Sequence, residues 1–442
     1  MNDYTNAKPE TRKMAMMARI RSNLRAARSA SLALVVTLMA AACNFDELLE
    51  VDLPDQIPTE GLAEPQNAKL LTDGAVADFE CAYGAYVALS AVMAGEMMDA
   101  TPTAARWPYD RRSVNPNDAL YSTSDCEALG IYTPLSRARW SADNILQHLQ
   151  EWTDEQVPDR QRLIATAAAY AGYSRVLLAE GFCTVAGIDN GPELTPEQVL
   201  QNAIERFNTA IEAAQGLGDG DSLLNFAYMG RARAYLGLGD GASAVADAQR
   251  IPPGFVYAMS ADTAPGRRVN RVFAQNGTNT LGGGNALTVA PAYRAMQHMG
   301  VADPRIPVID AGFEDEGVQI FWQAKYPTRN TPIPIASYDE AQLIIAEVEG
   351  GATAVDIIND FHARAGLPEL DATGLSPAEI LAHVIEERRL ELWLEGHRFH
   401  DIRRHELPLV PEPGTPHRRG GFYGDDRCFP LPAVEIRNNP NI

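Results

Sequence analysis

The sequence predicts a mainly α-helical protein whose helices pack in pairs beside an irregular, loop-rich region holding short strands. Three observations carry this. Apolar residues step by three and four in several stretches between Leu135 and Ala248. Helix-start signals stand at Thr195 to Gln198 and at Ser376 to Glu379. Between residues 251 and 337 the periodicity gives way to Pro, Gly and Asn separated by short apolar runs.

At the start of the chain, Arg19, Arg21, Arg25 and Arg28 precede SASLALVVTLMAAA, fourteen residues without a charge, and Cys43 follows three alanines. A charged start, a short apolar run and small residues make residues 1–42 a cleaved export signal. The run is shorter than the roughly 20 residues that cross a bilayer. The alternative is a buried helix of the globular body. Cys43 then becomes the first mature residue and, as in the bacterial lipoproteins this leader resembles, carries lipid on its sulfur. Met1 to about Lys13 read as an overlong start. Residues 43–61 are acidic, broken by Pro54 and Pro58, and read as a tether. Residues 62–442 are expected to form one body, with N-terminal helices and loops over 62–158, paired helices over 159–252, the irregular region over 253–336 and C-terminal helices with a tail over 337–442.

Removing the leader leaves thirty Lys and Arg against 56 Asp and Glu, a net charge of −26. Such a surface argues against nucleic-acid binding, which needs clustered cations. Four cysteines remain besides Cys43: Cys81, Cys126, Cys183 and Cys428. An even count in an exported chain fits two disulfides in any of three connectivities, with buried thiols as the alternative. No pair has CxxC spacing, which argues against a redox motif or a zinc ribbon.

Asn67 to Met98, rich in Ala, Leu, Val and Met with Gly74, Gly84 and Gly95, predicts one or two closely packed helices. The polar stretch with Pro102, Pro108 and Pro116, which carries Arg106, Trp107, Tyr109 and Tyr121, reads as non-helical. Leu135, Ala138, Ala142, Ile145 and Leu149 make an amphipathic helix up to Trp152, and a second runs from Arg160 to Glu180. A third begins at N-cap Thr195 with Pro196 and Gln198 and places Val199, Ala203, Phe207, Ala210 and Ile211 on one face. In LNFAYMGRARAYLGLGDGASAVADAQRIP, the positions Tyr228, Ala232, Tyr235, Gly239 and Ala244 stand at tetratricopeptide-like offsets, closed by Pro252. A single repeat cannot bury its apolar face alone, so the preceding helices are expected to stack on it. Ala286 to Ala290 and Val318 to Trp322 read as strands, and Gly282 to Asn285 as a flexible turn. No GxxxxGK or GxGxxG accompanies that turn, which argues against a phosphate cradle.

Helices resume at Ser337 to Glu349, Ala354 to Ala365 and Ser376 to about His397. The last has a capping box at Ser376, Pro377 and Glu379 and an apolar stripe of Leu381, Val384, Ile385 and Leu392. Arg388 falls inside that stripe, where an unpaired cation would cost several kcal/mol. Glu391 and Glu395 are the nearest candidates to pair with it.

Four blocks at this end, YDEAQLIIAE (338–347), FHARAGLPEL (361–370), EERRLELWLEGHRFHDIRR (386–404) and FPLPAVEIRNNPNI (429–442), resemble the SusD/RagB family of nutrient-binding outer-membrane lipoproteins. The leader, the helix around Asn144 and the tetratricopeptide-like pair add weaker matches. His397, His400 and the four further cysteines depart from the usual pattern. The resemblance implies a SusD-like α-α superhelix of tetratricopeptide-like pairs, anchored at the cell surface on the outer membrane. It also implies capture of an oligosaccharide, or another oligomeric nutrient, for a TonB-dependent SusC-like transporter, without cofactor or covalent chemistry. The two competing readings are an envelope scaffold without a small ligand and a glycoside hydrolase.

His397, His400 and His405 could hold a metal, but no HExxH accompanies them, and they read as solvated or capping residues. Glu386, Glu387, Glu391 and Glu395 could supply an acid/base pair, but on one helix among arginines they read as structural. A sugar site needs aromatic platforms beside a few polar groups. Trp107, Tyr109, Tyr121, Tyr293, Trp322 and Tyr326 are the candidates, with core packing as the competing role for each. Trp140 and Trp393 are assigned to packing.

Overall fold

A computed structural model describes residues 63–442 except 119–120, 122, 124–125, 127–129, 219–221, 264–265 and 279–281. The leader, Cys43 and the tether over 43–61 lie outside the described residues.

Helix α1 (Ala68–Met93) is buried on nearly every side from Phe79 onward. Its apolar composition therefore marks a core helix around which the rest is built. Strand β1 (Met97–Asp99) follows, then the short helix α2 (Trp107–Arg111), inside the stretch that the prolines suggested would not be helical. Pro108 sits in its first turn, where its missing N–H costs nothing.

Helices α3 (Tyr132–Glu151) and α4 (Arg160–Gly181) pack on α1 and on each other. The stripe Leu135, Ala138, Ala142, Ile145 and Leu149 is fully buried, as its spacing predicts. A small antiparallel pair, β2 (Val185–Ala186) and β3 (Glu193–Leu194), leads to α5 (Pro196–Gln215). Both halves of its capping box form, Thr195 N donating to Gln198 Oε1 and Gln198 N to Thr195 Oγ1.

Helices α6 (Ser222–Gly237) and α7 (Gly241–Ala248) complete the tetratricopeptide-like pair and turn at Gly239, where φ is +76°. The stacking α4, α5, α6 depends on one ring. A Cβ at Gly172 or at Gly230 would lie 2.7 or 2.3 Å from the ring of Phe207. Two glycines on neighbouring helices thus make room for an aromatic ring from the third.

The irregular region holds β4 (Val256–Ala258), helix α8 (Arg271–Gln275), β5 (Leu287–Val289), the pair β6 (Gln297–His298) and β7 (Val301–Ala302), β8 (Val308–Asp315), β9 (Val318–Gln323) and β10 (Pro334–Ser337). The strands pair antiparallel two by two: β1 with β5, β4 with β10, β8 with β9. The first of these pairings returns residues 287–289 to the segment just after α1.

Helices α9 (Tyr338–Glu349) and α10 (Gly351–Ala365) follow; the helix expected from Ser376 to about His397 stops at Glu391 as α11 (Pro377–Glu391), and a separate helix, α12 (Arg398–Arg404), comes after the break. The break is imposed by tertiary packing. Leu394 and Gly396 take φ of +59° and +84°, and Gly396 lies against Tyr86 and Val87 of α1. Helix α13 (Ala433–Asn438) ends the chain. Ala63–Ile442 cluster as one unit.

Candidate ligand-binding site

Four of the six candidate aromatics turn inward. Tyr109, Tyr121, Tyr293 and Tyr326 are each no more than 3% exposed. Tyr109 and Tyr121 pack on Phe429, and the Tyr121 hydroxyl donates to the Pro430 carbonyl. Tyr293 stacks on Trp393 beneath the Arg389 guanidinium. Tyr326 donates to the Leu394 carbonyl at 3.0 Å. Buried this deeply, the four rings present no open face to solvent. Burial pushes all four phenols up from their ordinary range.

Trp107 and Trp322 remain half-buried. The Trp107 indole N–H donates to the Thr101 carbonyl at 3.2 Å, and that of Trp322 to Asn285 Oδ1 at 2.9 Å. Their two anchors are chain neighbours of Ala100 and Ala286, which are joined by an N–H to carbonyl bond of 2.9 Å. The β1–β5 pairing therefore places the acceptors of two indoles, 215 positions apart in the sequence, beside the same backbone bond. Met98, Ala100, Phe313, Val318 and Ile320 form the apolar floor around Trp322.

Polar groups edge this surface. The Arg111 guanidinium lies 5.3 Å from the Trp107 ring centre and donates to the Arg419 carbonyl at 2.9 Å and to His417 Nδ1. His417 Nε2 lies 3.0 Å from Asp110, leaving Nδ1 to accept. Arg419 donates to the Glu316 carbonyl at the tip of the β8–β9 hairpin. Beside this cluster lies an apolar cavity of about 250 Å³ lined by Met97, Met98, Asp110, Arg112, Pro411 and Tyr423. Burial lowers the Arg112 guanidinium pKa.

Phe422, which the sequence does not single out, is 64% exposed in the run GGFYG, and its neighbour Gly421 lies against Arg111. Its flanking glycines were the available signal: Gly420 and Gly421 take positive φ, and a Cβ at Gly424 would lie 2.3 Å from the Arg112 carbonyl. Trp140, assigned to packing, is instead 51% exposed, because it falls between Ala138 and Ala142 on the opposite side of α3. Trp393 is fully buried.

The charged residues of the C-terminal blocks form a buried lattice. Arg388 pairs with Asp401 through two 3.1 Å bonds and lies 3.5 Å from Glu347, rather than pairing with Glu391 or Glu395. Because the helix breaks, Glu395 turns to Lys325 at 2.7 Å, and Glu391 takes Arg305 at 3.0 Å. Glu387 holds Arg305 and His362 at 2.5 and 2.8 Å, and Glu386 binds Arg389. Arg233 of α6 meets Glu180 of α4 through two bonds. His397, His400 and His405 are drawn into this lattice rather than solvated, facing Glu340, Glu180 and Glu347 at 3.8, 3.5 and 3.3 Å. Burial lowers the His397 pKa and holds His400 at about 4. Among the described residues no group of three or more His, Cys, Asp or Glu is arranged for a metal. Cys81 pairs with Cys126 and Cys183 with Cys428, at Cα separations of 5.7 and 5.1 Å.

A model of the SusD family matches residues 338–442. This C-terminal stretch is similar to the SusD family. A SusD-like protein P2 from Formosa agariphila is 32% identical over 124 residues, 24% of this chain and 23% of that relative's length. Solved structures extend the likeness to the fold of most of the chain. A SusD-like carbohydrate binding protein from Bacteroides vulgatus aligns with a TM-score of 0.67 at 16% identity, covering 86% of this chain and 97% of that one. The surface glycan-binding protein A from Bacteroides thetaiotaomicron, in complex with laminarihexaose, aligns with a TM-score of 0.66 at 17% identity over 84% and 98%.

Proposed function

We propose that this protein is a surface lipoprotein that binds an oligosaccharide across Trp107 and Trp322 and passes it to a TonB-dependent, SusC-like outer-membrane transporter. The observation that carries the reading is the joint anchoring of the two indoles through the Ala100–Ala286 bond, with Arg111 and Arg419 at the edge. Pyranose rings offer flat apolar faces bordered by hydroxyls, and indoles beside guanidinium donors complement both. The laminarihexaose complex of the Bacteroides thetaiotaomicron relative supports a glycan as the ligand class. Residues 1–42 serve as the leader, Cys43 takes the lipid, and residues 43–61 are the leash for the body over 62–442. Glu386, Glu387, Glu391 and Glu395, the acid/base candidates, are held in ion pairs, which supports binding and transfer rather than hydrolysis.

A glycan array followed by calorimetry tests the binding. Trp107→Ala and Trp322→Ala are each expected to weaken the best ligand at least tenfold with the fold intact, and unchanged affinity in both variants overturns the site. Cys43→Ser is expected to yield unlipidated, soluble protein; fatty acid metabolically incorporated into that variant overturns the anchor. Affinity capture of the wild-type lipoprotein from detergent-solubilised membranes is expected to retain a transporter barrel.

A further inference from the structure

A second cavity, of about 340 Å³, opens where α3, the turn between β2 and β3, and the C-terminal tail converge, and it shares no residue with the Trp107–Trp322 surface. Its volume falls within the range of small-molecule sites, ~300–1,000 Å³. Trp140 contributes a half-exposed indole, Arg139 a guanidinium, Asp189 and Glu435 carboxylates, and Asn190 and Asn439 amides.

Arg139 is the anomaly. It is only 6% exposed, yet it forms no ion pair among the described residues, and its enclosed Nε meets no acceptor. Asp143, one turn further along α3, is already taken by Arg175 and Arg206 at 2.6 and 2.7 Å. Glu435 shares the cavity wall but does not close on Arg139. A buried cation without a partner is costly and persists where the surrounding structure or a ligand compensates it. The turn opposite is strained as well. Asp189 and Asn190 both take left-handed φ, +53° and +58°, without being glycine. Strain of this kind clusters at binding sites and needs support from its surroundings. The tail supplies it: the side-chain amide of Asn439 donates to the Gly191 carbonyl at 2.8 Å, and that of Asn441 to the Asn190 carbonyl at 2.7 Å. The site is thus pre-formed.

We infer that this cavity is a second saccharide site, one that takes a single neutral hexopyranose unit stacked on Trp140. In it Arg139 donates to ring or hydroxyl oxygens, while Asp189 and Glu435 accept from hydroxyls. Two carboxylates against one guanidinium disfavour an acidic sugar, whereas a neutral ring uses all three. The choice of a sugar rests on the proposed glycan function, but the site does not depend on the first surface.

The test separates the two. The chain has five tryptophans, so 5-fluorotryptophan labelling gives one 19F line each for Trp107, Trp140, Trp152, Trp322 and Trp393, assigned by single Trp→Phe variants. The probes are methyl glycosides of glucose, galactose and mannose, with glucuronate, each up to about 50 mM, above the ~1 mM scale of weak binding. The Trp140 line is expected to shift saturably with at least one methyl hexoside and not with glucuronate. Arg139→Gln and, independently, Glu435→Gln should weaken that response at least tenfold. A Trp140 line unmoved by all three glycosides, or moved by glucuronate alone, overturns the inference. The Trp107 and Trp322 lines, read in the same spectra with laminarihexaose, report on the first site whatever the Trp140 line does.

Discussion

Arg388 of α11 reaches across the helix break to grip both carboxylate oxygens of Asp401 on α12, each at 3.1 Å, with both residues at most 4% exposed. The pair fixes the angle between two short helices that would otherwise read as one long one. Removing one partner strands the other charge in the core, which typically costs about 3–5 kcal/mol. Arg388→Ala is therefore expected to lower the unfolding free energy measured by urea denaturation by that much. The same substitution placed on Asp401→Ala should cost far less, and full additivity in the double-mutant cycle would count against the pair.

Glu347 gives the acid limb of stability a specific origin. Burial alone would raise its carboxyl pKa, but the nearby His405 ring, the Arg404 guanidinium that donates to both its oxygens and the charge of Arg388 outweigh burial and hold it at about 2, against 4.5 unperturbed. Because the folded pKa is depressed, the contribution is complete above pH 4.5 and is lost as pH falls towards 2, about 3 kcal/mol in all. His400, held by burial at about 4, adds a loss between pH 6.5 and 4, since the folded state resists its protonation. Glu340, raised by burial to about 7, acts oppositely, favouring the fold at low pH and ceasing to do so as pH rises from 4.5 to 7. Melting temperatures from pH 7 to 3 should fall most steeply below pH 4.5, and Glu347→Gln should flatten that part of the curve. An unchanged slope would remove Glu347 from the account.

The two disulfides should differ in worth. Cys183–Cys428 closes 245 residues of chain and Cys81–Cys126 closes 45. Loop-closure entropy then makes the longer bridge about 1.5 kcal/mol more stabilising. Cys183→Ala/Cys428→Ala is expected to melt below Cys81→Ala/Cys126→Ala, and non-reducing peptide mapping should recover both linkages. Equal melting points would mean that local packing, not loop length, governs the difference.

The Phe207 wedge predicts intolerance at a position that sequence alone would class as neutral. Gly230→Ala normally favours a helix interior by about 1 kcal/mol. Here the new methyl meets the Phe207 ring, so a net loss of about 1–3 kcal/mol is expected. Pairing it with Phe207→Leu should restore part of the loss.

Helix identity was legible where a helix carries its own apolar period, as α3 and α5 do, and the capping boxes at Thr195 and Ser376 both form as read. What was not legible depends on distant residues. The break after Glu391 exists because Gly396 must pass against Tyr86, and β1 exists because Leu287–Val289 return to it. Ion-pair partners followed the same rule: Arg388 was read as paired, but its partner lies beyond a break that the sequence could not place. The aromatic candidates separated by burial, which a loop's composition does not encode.

Tyr326 and Trp322, four residues apart, show how that separation can be measured. Tyr326 is 2% exposed, sits over the Lys325 ammonium and donates to the Leu394 carbonyl. Its truncation to alanine opens a core cavity and leaves a buried carbonyl unmet, so Tyr326→Ala is expected to cost about 3–5 kcal/mol. Trp322 packs edge-on against Phe313 and keeps part of its ring in solvent. Trp322→Ala should cost less stability than Tyr326→Ala. Measured side by side with the array-selected glycan, Trp322→Ala should lose affinity at least tenfold at temperatures where it is folded, whereas Tyr326→Ala should bind normally in whatever fraction remains native. The reverse pattern, normal binding by Trp322→Ala and specific loss in folded Tyr326→Ala, would move the platform from the β9 surface to the buried segment that follows the strand.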